Sequence, residues 1–150
     1  MSTTISLAFE TRLDLEALSV GVTLRLIRLI ATVQLKTRDG WTRSYKAILD
    51  SGNPISLIPH FIWKEAEIKW LLPKKSELKG IGSGRISGQL AEVTLVFLDA
   101  QRKSAPTKVK ALLLDDDTIP FLLGFEDLLA ELRLFSDYKA YKAHLEWSLQ

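Results

Sequence analysis

Short runs in which apolar and polar residues alternate, rather than a sustained helical repeat, dominate this chain. Ile5-Ser6-Leu7-Ala8-Phe9 is a candidate first strand, and Val22 to Thr37 is β-branched and apolar enough to form a long one. Asp39-Gly40 marks a tight hairpin turn, after which Trp41 to Leu49 returns. Beyond Pro59, Glu65 and Lys69 stand four apart beside Phe61, Ile62, Ala66 and Ile68. That spacing predicts one or two helical turns, closed by Pro73-Lys74-Lys75-Ser76. Strands follow at Leu90 to Leu98 and Lys108 to Leu114, joined by a polar loop from Asp99 to Thr107, with a turn at Asp115-Asp116-Asp117. Phe125, Leu128, Leu129 and Leu132 mark one face of a helix, and Leu134-Phe135 and Ala143 to Trp147 read as terminal strands. No internal repeat, low-complexity tract or interdomain linker appears.

Length and composition narrow the class. A chain of 150 residues is expected to form one domain spanning residues 1–150, able to bury roughly two thirds of its extended-state surface. With 47% hydrophobic and 25% charged residues it is unlike a disordered chain. Lys+Arg 20 against Asp+Glu 18 leaves a net charge of +2, too small to imply a nucleic-acid or anionic-membrane partner. The absence of cysteine removes a disulfide framework, a thiol nucleophile and a Cys-based zinc site. The most apolar stretch, Leu18 to Val33, is interrupted by Arg25 and Arg28, and reads as a strand rather than a membrane span. The N-terminus lacks a basic segment followed by an apolar one, so the expectation is a cytoplasmic protein without membrane partner.

Asp50-Ser51-Gly52 carries the chemistry. It follows the apolar run Ala47-Ile48-Leu49 and precedes Asn53-Pro54-Ile55-Ser56-Leu57-Ile58-Pro59, which is largely apolar again. A carboxylate placed where a strand ends inside greasy sequence is costly unless hydrogen-bonded or paired, which makes Asp50 a functional-site candidate. Gly52 permits a tight turn and close backbone approach. Taken alone, such a triplet between strands also reads as an ordinary turn.

Ile48-Leu49-Asp50-Ser51-Gly52 resembles the active-site loop of aspartic proteases, where two apolar residues precede Asp, Thr or Ser, and Gly. Downstream, Leu122-Leu123-Gly124 and the helical spacing after it look like the apolar-apolar-Gly element and C-terminal helix of retropepsin-like proteases. Between them Gly80-Ile81-Gly82-Ser83-Gly84, followed by Gly88, fits the glycine-rich flap in order and spacing. The resemblance covers roughly residues 23 to 147 and is nearest to the single-domain, stand-alone bacterial proteases. It implies an all-β, retropepsin-like closed barrel with one short C-terminal helix. Since the chain holds one Asp-Ser-Gly, the resemblance further implies a homodimer in which each copy supplies Asp50. Two departures stand out: Asn53 where the family more often has Ala or Ser, and Phe125 where retroviral members commonly carry Arg.

The chemistry implied is peptide hydrolysis without metal or cofactor. Two carboxylates about 3 Å apart share one proton, the aspartic-protease dyad being the standard instance. One Asp50 would act as base toward water while its counterpart polarises the scissile carbonyl, in apparent titrations that belong to the pair. By the same resemblance, Ser51 would brace the two loops across the dimer axis and Gly52 would present its N–H to the carboxylate. Leu122, Leu123 and Gly124 would brace the loop from below. Residues 80–84 would close over an extended peptide or protein substrate, with Ile81, Ile86 and Ile55 as pocket walls, although a flexible hairpin accounts for the glycines as well and core packing is the more common fate of Ile. A catalytically silent dimeric peptide-binding or scaffolding module is the alternative, and a small nucleic-acid-binding barrel a third reading disfavoured by the charge.

The remaining constellations are weaker. Asp115-Asp116-Asp117 lacks the spacing and glutamate of a calcium loop and reads as a solvated turn. His60 and His144 are too few for a metal site, and Lys103, Lys108 and Lys110 form a solvated face without accompanying aromatic motifs. Trp41, Trp63, Trp70 and Trp147 are expected in the core or a dimer interface.

Overall fold

The structure, a computed structural model, describes residues 2–79 and 84–148. Strands dominate it: β1 (Ser2–Leu13), β2 (Arg25–Leu35), β3 (Tyr45–Leu49), β4 (Ser56–Ile58), β5 (Lys69–Lys79), β6 (Arg85–Leu98), β7 (Thr107–Leu114), β8 (Leu122–Leu123), β9 (Arg133–Asp137) and β10 (Lys142–Ser148). Two short helices, α1 (Leu15–Ser19) and α2 (His60–Trp63), and a 3-10 turn at Leu129–Glu131 complete it.

The strands join in the order β5-β6-β7-β4-β8-β3-β2-β1-β10-β9, and β2 also pairs with β6. That extra pairing is made by the second half of β2, Thr32↔Leu98 to Leu35↔Leu95, and draws β2, β3, β8, β4, β7 and β6 into a ring. The first half of β2 pairs instead with β1, Ala8↔Ile30 to Leu13↔Arg25, while β1 pairs through its other half with β10.

Side-chain alternation decides what fills the ring. Leu29, Ala31, Val33 and Leu35 of β2 point to one interior, joined there by Ala91, Val93, Leu95 and Phe97 of β6 and by Val109, Ala111 and Leu113 of β7. Period-2 spacing places these on one face of each strand, and each fully buried large aliphatic contributes about 1.5–3 kcal/mol. The opposite face of β7 carries Leu112 and Leu114, which join Leu57 in a second, smaller apolar cluster.

Several expected elements take a different form. Leu18 to Val33 is not one strand: Leu18 and Ser19 end α1, and β2 begins only at Arg25. Asp14 caps that helix by accepting the Ala17 N–H at 3.0 Å, and Gly21 stops it with φ +80, a conformation costly for any residue with a Cβ. The helix after Pro59 spans only His60–Trp63, and Lys69 opens β5, so the Glu65 and Lys69 pair does not share a helix. Chain capture by the neighbouring strand ends it, the Glu67 N–H donating to the Lys36 carbonyl at 2.8 Å. Pro73-Lys74-Lys75-Ser76 lies within β5 rather than closing a helix, and the register shift between Trp70 and Lys75 leaves Pro73, which has no N–H, outside the ladder. The C-terminal helix contracts to one 3-10 turn because Asp127 has φ 62 and Leu128 a non-helical φ −128, ψ −81. Leu128 still reaches the core, whereas Phe125 is exposed.

No helix among the described residues is long and apolar enough to cross a membrane.

Candidate functional site

Asp50 stands at the end of β3, where the chain must leave the ring before re-entering as β4. The two strands do not pair with each other. β8 lies between them, parallel to β3 (Ile48↔Leu122, Leu49↔Leu123) and antiparallel to β4 (Leu57↔Leu122). Asp50 donates its backbone N–H to the Leu123 carbonyl at 2.9 Å, one step beyond Ile48 to Phe121 at the same distance. The loop is thus stitched to β8 on its inner side.

Within the loop the bonds are local. The Gly52 N–H donates to Asp50 Oδ1 at 3.2 Å, and the Asn53 N–H to the Asp50 carbonyl at 3.1 Å. Asn53 Oδ1 accepts from the Ile55 N–H at 3.4 Å, and the Asn53 and Pro54 carbonyls accept from Phe125 and Glu126. Asp50 is half-buried, while Ser51 and Gly52 are exposed at the crest of the turn. Asp50 has no ion-pair partner among the described residues. The carboxylate thus has one backbone donor and, among the described residues, no cation beside it.

Gly124 fits under this loop because it has no side chain. A Cβ there would lie 2.3 Å from the Ile55 carbonyl carbon and 2.7 Å from the Ser56 nitrogen. Ser56, fully buried, accepts the Gly124 N–H on its Oγ at 2.9 Å. Sequence reasoning passed over Ser56, although its signal was present as a lone hydroxyl in the apolar run Ile55 to Ile58. A buried hydroxyl needs a partner, and here the partner is the glycine of the downstream element.

Beside the loop runs an apolar floor. Leu57, Leu112 and Leu114 are buried there, with Ile55, Ile86, Ile119 and Leu122 packed against them and partly accessible. Ile55 and Ile86 therefore meet in one cluster, which extends from the Asp50 loop to the base of the β5–β6 hairpin. Gly80, Ile81, Gly82 and Ser83 lie outside the described residues. The strands that flank them are paired up to Lys79↔Arg85, and Gly84 faces open space. A Cβ on Gly88 would come within 2.6 Å of the Leu113 carbonyl oxygen, so this glycine lets β6 lie close on β7.

The other candidates have structural partners. Asp115 pairs with Lys75, Asp116 accepts from the Thr118 N–H and hydroxyl, and Asp117 accepts from the Phe61 N–H, so the acidic triplet is a bonded turn. His60 packs edge-on against Trp63, and His144 stacks on Phe135. Among the described residues no group of three His, Asp or Glu stands close enough to hold a metal. Lys110 pairs with Asp127 and Lys103 lies over the Trp41 ring. Trp63 and Trp147 pack partly buried against the core, whereas Trp70 is exposed.

No protein-family model matches the chain, and no curated protein does. Among solved structures it is similar to a retropepsin-like aspartic protease from Rickettsia conorii, with 13% identity and a TM-score of 0.54 over 100% of this chain and 95% of that one. The EIAV protease complexed with the inhibitor HBY-793 is 17% identical over 69% of this chain and 86% of that one, with a TM-score of 0.39. At such identity the Rickettsia likeness shows the fold: the chain has an all-β, retropepsin-like fold.

Proposed function

We propose that this protein is an aspartic endopeptidase whose catalytic dyad consists of Asp50 from each of two copies. The observation that carries the reading is the placement of Asp50: a half-buried acid with no cation beside it among the described residues, at a strand end pinned to Leu123, on a retropepsin-like fold.

In this reading water lies between the two carboxylates. The ionised Asp50 removes a proton as the water oxygen bonds to the scissile carbonyl carbon, and the protonated Asp50 of the second copy gives its proton to the carbonyl oxygen. The resulting gem-diol collapses: the first Asp50 passes its proton to the amide nitrogen, the C–N bond breaks, and a hydroxyl proton returns to the other carboxylate. Gly52 holds the carboxylate through its N–H, Ser51 at the exposed crest meets the second copy, and Asn53, Leu122, Leu123 and Gly124 keep the loop in place. Residues 80–84 act as a flap, and the floor of Leu57, Leu112, Ile55 and Ile86 receives apolar side chains of an extended peptide.

The floor would hold a peptide whether or not the acid turns it over, so a silent dimeric peptide-binding module is the second reading. Incubating wild type and Asp50→Asn with a diverse peptide mixture separates the two. Cleavage by wild type alone supports the protease; binding without cleavage by both supports the module.

A further inference from the structure

The β1–β2 hairpin leaves the body of the fold as a two-stranded ribbon. β10 accompanies β1 only to Leu7, and β3 accompanies β2 only from Ile30. From Phe9↔Leu29 to Leu13↔Arg25 the two strands therefore pair with each other alone, over about 17 Å. Beyond them α1 and the turn at Gly21 form the tip, and Gly21 has open space around it. From Leu13 to Leu24 the sequence holds no lysine or arginine. The aliphatic side chains of that stretch are exposed: Leu13, Leu15, Leu18, Val20, Val22 and Leu24, with Leu15 and Val20 at 76%. Of its two acids, Asp14 is engaged by the Ala17 N–H, and Glu16 stands exposed in the first turn of α1.

These side chains do not share one face. Leu13, paired with Arg25, lies on the face that carries Ile27, whereas alternation puts Leu24 and Leu26 on the other, and Leu15, Leu18 and Val20 belong to the tip beyond both. A protein patch covers one face of a ribbon. A tip that is apolar on several sides is covered at once only by a medium that closes round it. Behind the tip stand cations on both faces: Arg25 on one, and Arg12, opposite Leu26, on the other. Arg25 donates to the Tyr141 hydroxyl at 2.9 Å, and Tyr141 packs edge-on against Phe9, which places a tyrosine beside that arginine. Arg12 and Arg28 share the single carboxylate of Glu10, at 3.1 and 4.0 Å. Aliphatic at the end, cationic and aromatic behind it, is the order in which a bilayer passes from acyl chain to headgroup.

We propose that residues 13–24 insert into the headgroup–acyl boundary of a phospholipid bilayer, with Arg12 and Arg25 at the level of the phosphates, and so hold the protein on a membrane surface. The attachment is peripheral. A depth of about 5–10 Å takes in the tip, and the ribbon keeps the barrel clear of the lipid. The small net charge of the whole chain does not oppose this, because the drive is apolar area gathered at one end and the cations that matter stand directly behind it. Glu16 is the one unpaired charge in the tip that works against it. The proposal is independent of the chemistry at Asp50.

Flotation of the full chain with vesicles of equimolar phosphatidylcholine and phosphatidylserine tests it, each variant being checked for wild-type circular dichroism. Wild type is expected to float with the vesicles. Leu15→Ser/Val20→Ser, changed at the two most exposed of these positions, is expected to partition at least about tenfold less. Arg12→Gln lowers partitioning about fivefold. Val20→Trp reads the insertion directly: its emission, taken as the difference from wild type, shifts to the blue when vesicles are added. A wild type that stays in the aqueous fraction overturns the proposal. So does flotation that folded Leu15→Ser/Val20→Ser retains in full, or a Val20→Trp emission that bound vesicles leave unchanged. An oligomer that forms without vesicles and that Leu15→Ser/Val20→Ser dissociates shows that protein, not lipid, covers the tip, and overturns it as well.

Discussion

The backbone N–H of Gly124 donates to the hydroxyl of Ser56 at 2.9 Å in a fully buried hydrogen bond, joining two elements far apart in the chain directly beneath the Asp50 loop. Through it the strand that follows the acid and the short strand that separates β3 from β4 are locked in register. Ser56→Ala leaves the Gly124 donor buried without a partner, a loss of about 1–3 kcal/mol. Chemical unfolding should show that loss, and peptide turnover should fall further than stability because the loop that aims Asp50 shifts. Gly124→Ala drives a Cβ into the Ile55 backbone, which has no flexible end to yield, and should cost about 3 kcal/mol.

Asp50→Asn tests the chemistry separately from the scaffold. The amide keeps the acceptor that receives the Gly52 N–H but has no proton to exchange. The expected outcome is loss of cleavage with an unchanged unfolding midpoint, read by a fluorogenic peptide and by urea denaturation. Turnover equal to wild type would remove Asp50 from the mechanism.

Two glycines near the hairpin should respond oppositely. Gly84→Ala places its methyl in open space and should change thermal stability by less than about 0.5 kcal/mol. Gly88→Ala meets the Leu113 carbonyl and the Leu112 side chain, and should cost about 2 kcal/mol or force β6 away from β7. Melting curves of the two variants suffice, and equal melting temperatures would contradict the close approach of the strands.

Asp99 gives the fold a sensitivity to acid. Its carboxylate accepts the Ser6 N–H at 2.8 Å and those of Gln101 and Arg102 at 2.8 and 2.7 Å, and these bonds, Ser6 foremost, hold its pKa below the ordinary value despite an opposing contribution from burial. A pKa lowered by folding adds stability above the unfolded value of about 3.9, and that stability is lost as pH falls through the folded value. At pH 7 wild type should exceed Asp99→Asn by about 1 kcal/mol in urea. The gap should narrow below about pH 4 and close once Asp99 is protonated. A gap that persists at lower pH would show that the charge is not what stabilises the contact.

Much of the barrel was legible because its cause is local. Alternation in Leu90 to Leu98 and Lys108 to Leu114 is a direct record of one face buried and one exposed, and the structure has strands there. Asp50-Ser51-Gly52 was readable as a strand-end turn with an acid because turn chemistry acts over three residues. The residues around Leu18 misled because apolar content alone does not distinguish a strand from a capped helix turn, and here Asp14 and Gly21 decided between them. The spacing of Phe125, Leu128, Leu129 and Leu132 promised a longer helix, and the left-handed Asp127 broke it.

What no periodicity contains is the insertion of β8 between β3 and β4. Two residues, Leu122 and Leu123, have no alternation to read, and their parallel pairing with Ile48 and Leu49 arises only when the ring closes. The same closure turns Ser56 from one more residue in an apolar run into the partner of Gly124, brings Ile55 and Ile86 into one cluster, and leaves Leu24 and Leu26 at the β1–β2 hairpin exposed. Local sequence thus determined strands, turns and the position of the acid, because backbone propensity and side-chain alternation act within a few residues. Tertiary structure decided which strand ends meet and which apolar surface stays open, because those depend on burial shared between segments that only folding brings together.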